Sequence, residues 1–271
     1  MATDRQAAES KPLRIAQITD THLYSDPGGE LLGLNTRRSL EQVIDLVMSA
    51  RQPDLVVSSG DLTHDGSPQA YQQVRDCFRR IGVPVYSLPG NHDEVVTLND
   101  CMNSNPFLCV RSARINSWQM LFLDSTVTGS DGGYLRKAEL DALDTELASY
   151  PDLPTLIWLH HQPVPLGSRW LDSMAVDNPQ AFFDITDRHS QVRAILWGHV
   201  HQSFEQQRNG VQLLAAPSTC IQFQPGSEEF AVHLVPPGYR WLELYPDGSL
   251  ETGVERLQKI PGEINQDARG Y

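Results

Sequence analysis

Long apolar runs are missing from this chain. Its strongest apolar stretches, such as Leu156-Ile-Trp-Leu159, fall far short of the roughly 20 residues that a membrane-spanning helix needs. The first residues, Met1 to Pro12, are polar and carry no apolar segment of a secretory signal, so a flexible N-terminus over residues 1–12 and a cytoplasmic location are expected. Cysteine is sparse: Cys77, Cys101, Cys109 and Cys220 are the four, and no two stand in C-x-x-C spacing. That argues against a thiolate zinc site and leaves reduced, mostly buried thiols. Basic residues are few. With 21 Lys and Arg against 34 Asp and Glu, the formal net charge is −13. A protein that wraps long nucleic acid needs a Lys/Arg surface to neutralise phosphates, so that class is disfavoured. A small anionic substrate stays compatible, because bound cations reverse the local field at a site. Linker-like, low-complexity and repeated segments are absent too. A chain of 271 residues can hold one large domain or two small ones. With no break in composition, one domain over residues 13–257 is expected, followed by an extended surface tail over 258–271.

What the chain does contain is five short segments that each close an apolar run with metal-ligand residues. In order they are Asp20-Thr-His22, Gly60-Asp61, Gly90-Asn91-His92-Asp93, His160-His161 and Gly198-His199-Val-His201. The runs before them read as strands: Leu13 to Ile18, Asp54 to Ser59, Val83 to Leu88, Thr155 to Leu159 and Val192 to Trp197. Between the first two, Leu40, Val43, Ile44, Val47 and Met48 follow the helical spacing, with Thr36 as N-cap. Ser67-Pro68 opens a second helix that ends near Arg80. Alternating strands and helices give an α/β chain, and each motif falls just past the C-terminal end of a strand, where open α/β sheets place their ligand sites. Later the character changes. Arg208-Asn-Gly210 is a type I′ hairpin signal, and Pro236-Pro-Gly238 and Tyr245-Pro-Asp-Gly248 punctuate further short strands. Residues 203–257 are expected to be antiparallel strands completing a second sheet.

Each block alone is common in soluble proteins. Together they supply three oxygen donors (Asp20, Asp61, Asn91) and at least four imidazoles (His22, His160, His199, His201). Borderline and hard first-row metals favour such mixed N/O sets without thiolate. If the segments are extended, Asp20 and His22 point to the same face, and so do His199 and His201. Gly60, Gly90 and Gly198 each precede a ligand, where a missing Cβ lets the backbone bend towards the site. One bridging carboxylate would let the set fill two metals.

The ordered pattern D-x-H, G-D, G-N-H-[DE], H and G-H-x-H resembles the calcineurin-like metallophosphoesterase superfamily over roughly residues 13–203. That resemblance implies the metallophosphoesterase fold, a four-layer α/β/β/α sandwich of two mixed sheets. Carried over motif by motif, it implies one metal on Asp20, His22, Asp61 and His201, and a second on Asp61, Asn91, His160 and His199, with Asp61 and a hydroxide bridging them. Fe, Mn, Zn and Co all suit these ligands. His92 is then a general acid and Asp93 its orienting carboxylate. Asn91, His92, His161 and His201 are the expected substrate contacts, with packing the alternative for His161. His64, His189 and His233 fit no block and are read as ordinary residues, and Trp170 and Trp241 as core rings sooner than base-stacking ones.

Longer stretches are similar to the class III 3′,5′-cyclic-AMP phosphodiesterases of bacteria. They include Gln17-Ile-Thr-Asp-Thr-His-Leu23, Leu88-Pro-Gly-Asn-His-Asp93, Leu159-His-His-Gln-Pro-Val164, Trp170-Leu-Asp172, Ala216-Pro-Ser-Thr-Cys-Ile-Gln-Phe223 and Pro237-Gly-Tyr-Arg-Trp-Leu-Glu243. Where phosphoprotein phosphatases carry arginine after their G-D block, this chain reads Leu62-Thr-His-Asp-Gly66. The resemblance implies hydrolysis of cyclic AMP to 5′-AMP, the hydroxide attacking phosphorus and His92 protonating the leaving 3′-oxygen. A broader phosphodiesterase or phosphatase is the alternative, and a non-catalytic scaffold on the same fold a remoter one. The segments Pro163 to Asp172 and Ser218 to Phe223 are expected to border the substrate pocket. A small cyclic nucleotide is the expected partner, and the residues leave the oligomeric state undetermined.

Overall fold

A computed structural model describes residues 11–270; most of the expected flexible N-terminus, residues 1–10, lies outside the described residues. The chain runs β1 (Leu13–Ile18), β2 (Glu30–Leu31), β3 (Leu34–Asn35), α1 (Thr36–Ala50), β4 (Leu55–Ser59), α2 (Pro68–Phe78), β5 (Val85–Leu88), α3 (Val95–Met102) and β6 (Phe107–Leu108). It continues β7 (Ser112–Ile115), β8 (Trp118–Phe122), α4 (Lys137–Ser149), β9 (Thr155–Trp158), α5 (Arg169–Asp172), α6 (Pro179–Thr186) and β10 (Val192–Trp197). The last strands are β11 (Phe204–Arg208), β12 (Val211–Ala215), β13 (Gly238–Leu244) and β14 (Leu250–Arg256).

Two six-stranded mixed sheets result, ordered β14-β13-β1-β4-β5-β6 and β11-β12-β10-β9-β8-β7. The period of two along each strand explains the four layers. In β4, Leu55 and Val57 join the core between the sheets, whereas Val56 faces the helices with Val43, Ile44 and Tyr71. In β10, Ala194 and Leu196 face the other sheet, whereas Ile195 and Trp197 pack with Leu143 and Phe182 from the outer helices. No helix among the described residues is long and apolar enough to cross a membrane.

Three local expectations are corrected. Residues 203–257 do not all complete one sheet. β12 pairs with β10 in one sheet, while β13 pairs antiparallel with β1 in the other. Alternation tells which face of a strand is buried but not which open sheet edge it joins, and both sheets had one. α1 is capped by Asn35, whose side chain accepts from the Arg38 amide at 2.8 Å, and Thr36 is its first helical residue. The tail over 258–270 contains no helix or strand, but Ile260 and Ile264 pack on a small core around Leu34, and the Asn265 amide donates to the Leu32 carbonyl.

Arg240 ties the two sheets together. Its side chain on β13 is fully buried, and its guanidinium donates to the Ala215 and Phe204 carbonyls, to Glu205 and to Thr252. The first three partners lie on β11 and β12 of the opposite sheet. Truncation removes every one of these cross-sheet hydrogen bonds and leaves a cavity between the sheets. Arg240→Ala is therefore expected to lower the unfolding free energy by about 3 kcal/mol. A urea transition with an unchanged midpoint would show that the apolar layer alone joins the sheets.

Candidate metal centre

The parallel strands β1, β4, β5, β9 and β10 end on one side of the sandwich, and the loops leaving them carry the five motifs. His22 Nε2 and His201 Nε2 stand 3.1 Å apart, with Asp20 Oδ1 3.5 Å from His201 Nε2. Beside them, His160 Nε2 lies 3.1 Å from Asn91 Oδ1 and 3.3 Å from Asp61 Oδ2. Two donor atoms held by one first-row ion at about 2.1 Å stand roughly 3 Å apart, so these spacings suit ligands of a common ion. The ligand atoms of His160, His161 and His199 also lie within 4.8 Å of one another. Asp61 belongs to both groups, its Oδ2 also 3.7 Å from His22 Nε2.

Asp61 Oδ1 accepts the His92 backbone amide at 2.9 Å, which leaves Oδ2 to face both groups. Convergence of the ligands has a different cause from the extended segments expected. Asp20, His22, Asp61, His199 and His201 have φ of 53°, 45°, 50°, 65° and 47°, so the ligand segments are not extended. A left-handed turn at each ligand costs about 1–2 kcal/mol, and such strain is characteristic of functional sites. The glycines serve the same crowding: a Cβ on Gly90 would stand 2.2 Å from Asp61 Oδ1, and one on Gly60, itself at φ 101°, would stand 2.2 Å from His160 Nδ1.

Outer contacts set the imidazole tautomers. His160 Nδ1 donates to the Ser59 carbonyl at 2.8 Å and His201 Nδ1 to the Ile221 carbonyl at 2.9 Å, which turns each Nε2 lone pair inward. Burial works against charge on His160, yet the Asp61 carboxylate, with Asp20 and the Ser59 carbonyl, lifts it to about 9. Burial likewise works against charge on Asp61, but the imidazoles of His160, His92 and His22 hold its carboxyl well below the usual range. Burial pushes His22 and His199 well down. His22 and His199 are therefore neutral donors, whereas His160 forms a charged pair with the Asp61 carboxylate, holding a proton that a bound cation would displace. Asp61 Oδ2 and both ring nitrogens of His199 have no hydrogen-bond partner among the described residues. Buried polar atoms without partners cost free energy unless a ligand satisfies them. A pair of first-row cations fits these donors.

His161 is fully buried; its Nδ1 meets the Ser125 hydroxyl at 2.8 Å, and its Nε2, without a hydrogen-bond partner, belongs to the cluster with His160 and His199. Burial first, then the neighbouring His160, bring it down to about 3. Asn91 and His92 are half-buried at the mouth. Asp93 does different work from that expected. Its two oxygens accept the backbone amides of Leu62, Thr63 and Gly90 and the hydroxyls of Thr63 and Tyr71, which clamps the Asp61 loop to the Asn91 loop. Of the two segments expected at the pocket, Ser218 to Phe223 touches the ligands directly: the Ser218 hydroxyl donates to the Asp20 carbonyl, and the Phe223 ring stacks on His201 at 4.2 Å. Pro163 to Asp172 follows behind it, through Trp170 packed 4.9 Å from Phe223. Tyr71, Ser125 and His64 escaped the sequence reading. His64 packs against His22 and His92, and burial with the adjacent His92 brings it down to about 4. Its position three residues beyond Asp61 was the available signal.

The sequence profile of the calcineurin-like phosphoesterases matches residues 13–203. The chain is 39% identical over 259 residues to the 3′,5′-cyclic adenosine monophosphate phosphodiesterase CpdA of Pseudomonas aeruginosa, covering 95% of this chain and 94% of that protein. It is also 39% identical over 250 residues to a 3′,5′-cyclic-nucleotide phosphodiesterase of Nostoc sp., covering 92% and 94%. Among solved structures, a dimetal phosphatase from Danio rerio superposes with a TM-score of 0.64 at 16% identity, covering 90% of this chain and 99% of that one. That last likeness bears on the fold. The chain belongs to the calcineurin-like phosphoesterase family of metal-dependent hydrolases. Within the family, it is similar over nearly its whole length to proteins named as cyclic-nucleotide phosphodiesterases.

Proposed function

We propose that this chain hydrolyses 3′,5′-cyclic AMP to 5′-AMP in the cytoplasm, with Asp20, His22, Asp61 and His201 holding one first-row metal ion and Asp61, Asn91, His160 and His199 another. The observation that carries the proposal is the buried cluster at the strand exits, whose orphaned Asp61 and His199 atoms call for cations. The near full-length likeness to cyclic-nucleotide phosphodiesterases supports the substrate class. When bound, such a pair clamps a phosphoryl group and brings the pKa of water towards neutrality. Fe, Mn, Zn and Co all match the donor set, and the ligands do not choose among them.

The chain's own residues supply the rest. His92 is held by its backbone amide on Asp61 Oδ1, so its half-buried ring stands at the mouth beside the ligands. From there its imidazole protonates the leaving 3′-oxygen, the step a ribose alkoxide most needs. Asn91, His92, His161 and His201 contact the substrate. The presence of every ligand position disfavours a scaffold role. A second reading, a phosphodiesterase of broader specificity, draws support from the Nostoc relative, whose name specifies a cyclic nucleotide without a base.

Metal-loaded protein incubated with cyclic AMP, cyclic GMP, linear dinucleotides and phosphomonoesters tests the substrate. Preferred turnover of cyclic AMP is expected. Turnover of monoesters with cyclic AMP untouched would overturn the substrate assignment.

A further inference from the structure

The outer nitrogens of two imidazoles in the cluster, His160 and His201, rest on backbone carbonyls. His22 is different: its Nδ1 lies 3.4 Å from Nδ1 of His64, a side chain that belongs to none of the five blocks. The same His64 ring stacks on His92 at 4.7 Å with 23° between the planes. Tyr24 packs at 4.8 Å from His64, and the edge of His22 meets His92 at 4.9 Å and 81°. One ring therefore touches both an imidazole whose Nε2 faces the metal cluster and the imidazole at its mouth.

We propose that His64 is a positioning residue with two separable contacts, one fixing the tautomer of His22 and the other the ring plane of His92. A metal-binding imidazole needs an outer acceptor to keep its proton on the far nitrogen, so that the near lone pair points at the metal. For His22 that acceptor is His64 Nδ1. A proton donor needs its ring held towards the leaving oxygen, since a misaligned donor does not transfer in the transition state. For His92, the flat face of His64, backed by Tyr24, restricts rotation of the ring. The second contact rests on the general-acid reading of His92; the first does not.

The two contacts separate by substitution in the full-length protein. His64→Phe keeps a ring to stack on His92 but offers no acceptor to His22. His64→Asn places an amide oxygen near the former Nδ1 but removes the ring. Two quantities are measured: Mn²⁺ affinity of the metal-stripped protein by calorimetry, and the ratio of kcat on cyclic AMP to kcat on a nitrophenyl phosphodiester at saturating metal. His64→Phe should weaken Mn²⁺ binding by about 10–100-fold, the usual loss for an outer partner of a metal ligand, and keep the wild-type kcat ratio. His64→Asn should bind Mn²⁺ nearly as the wild type does, with the ratio reduced. His64→Ala should lose both. Equal behaviour of the Phe and Asn variants on both readouts, or wild-type values for the Ala variant, overturns the proposal. So does a loss that merely follows a lowered melting temperature in all three. His92→Ala is measured alongside. If it loses equally on both substrates, the general-acid reading fails and the ring contact falls with it. If it loses selectively and His64→Asn does not, the ring contact fails while that reading stands.

Discussion

Asp61→Asn is expected to abolish full metal occupancy and to reduce kcat/KM on cyclic AMP by at least about 10³-fold, on the order of 4 kcal/mol of barrier. The amide preserves the volume of the side chain and still offers an oxygen to the His92 amide, now 2.9 Å from Oδ1. What it removes is the charge at Oδ2, the atom 3.3 Å from His160 Nε2 and 3.7 Å from His22 Nε2. The residue is wholly buried, so no solvent can replace that charge. Stability should fall as well. Without metal, and despite burial, the surrounding imidazoles hold the Asp61 carboxyl well below its usual range, and Asp61 in turn lifts His160 to about 9. Folding thus favours the charged pair, and neutralising one partner removes that contribution. The metal-free Asn protein is therefore expected to unfold at a lower denaturant concentration than the metal-free parent. Elemental analysis and a chelator-treated urea transition check the two halves separately. Full metal content in Asp61→Asn would remove Asp61 from the shared position.

The site carries a cost in its backbone. Five residues of the cluster sit at positive φ, where side chains other than glycine are disfavoured. None of this was visible beforehand. The strand exits were legible because short apolar runs end abruptly in Asp, Asn or His, and the resemblance carried by the five ordered blocks implied which exits meet. The extended geometry imagined for Asp20 and His22 was wrong, since tight turns after β1 and β10, not strand pleating, bring the ligands together. Such φ values depend on which loops must pass each other: Gly198 leaves space for Thr19, and Gly90 for Asp61. They are products of assembly rather than of local preference. The same holds for Asp93. Its place beside His92 invited a role as orienting carboxylate, but three backbone amides from two loops reach it only once β4 and β5 lie side by side. His64 escaped for a related reason: ring stacking on His92 requires the turn after Asp61 to fold over the Asn91 loop. The Tyr245-Pro-Asp-Gly248 turn was legible as a break between short strands, but the pairing of β13 with β14, and its attachment to β1 instead of the β10 sheet, depended on long-range assembly.

His92→Ala should separate proton donation from metal binding. The substitution keeps the backbone amide that donates to Asp61 Oδ1, and Asn91, not His92, supplies the oxygen 3.1 Å from His160 Nε2. Metal content is accordingly expected to match the parent protein. Turnover is not: kcat on cyclic AMP should fall by roughly 10²–10⁴, the scale of a positioned general acid. The size of the loss should depend on the leaving group. A ribose 3′-alkoxide is strongly basic and leaves only as it gains a proton, whereas a nitrophenolate departs readily as the anion. A nitrophenyl phosphodiester should therefore lose far less than cyclic AMP when the imidazole is removed. A ring that served instead to bind phosphate would act on both substrates alike, because the phosphodiester group is common to them. The deciding measurement is kcat for both substrates on parent and His92→Ala protein, with metal content determined on the same samples. Equal losses on the two substrates, or a missing metal ion, would recast His92 as a phosphate contact or a structural support of the Asp61 loop.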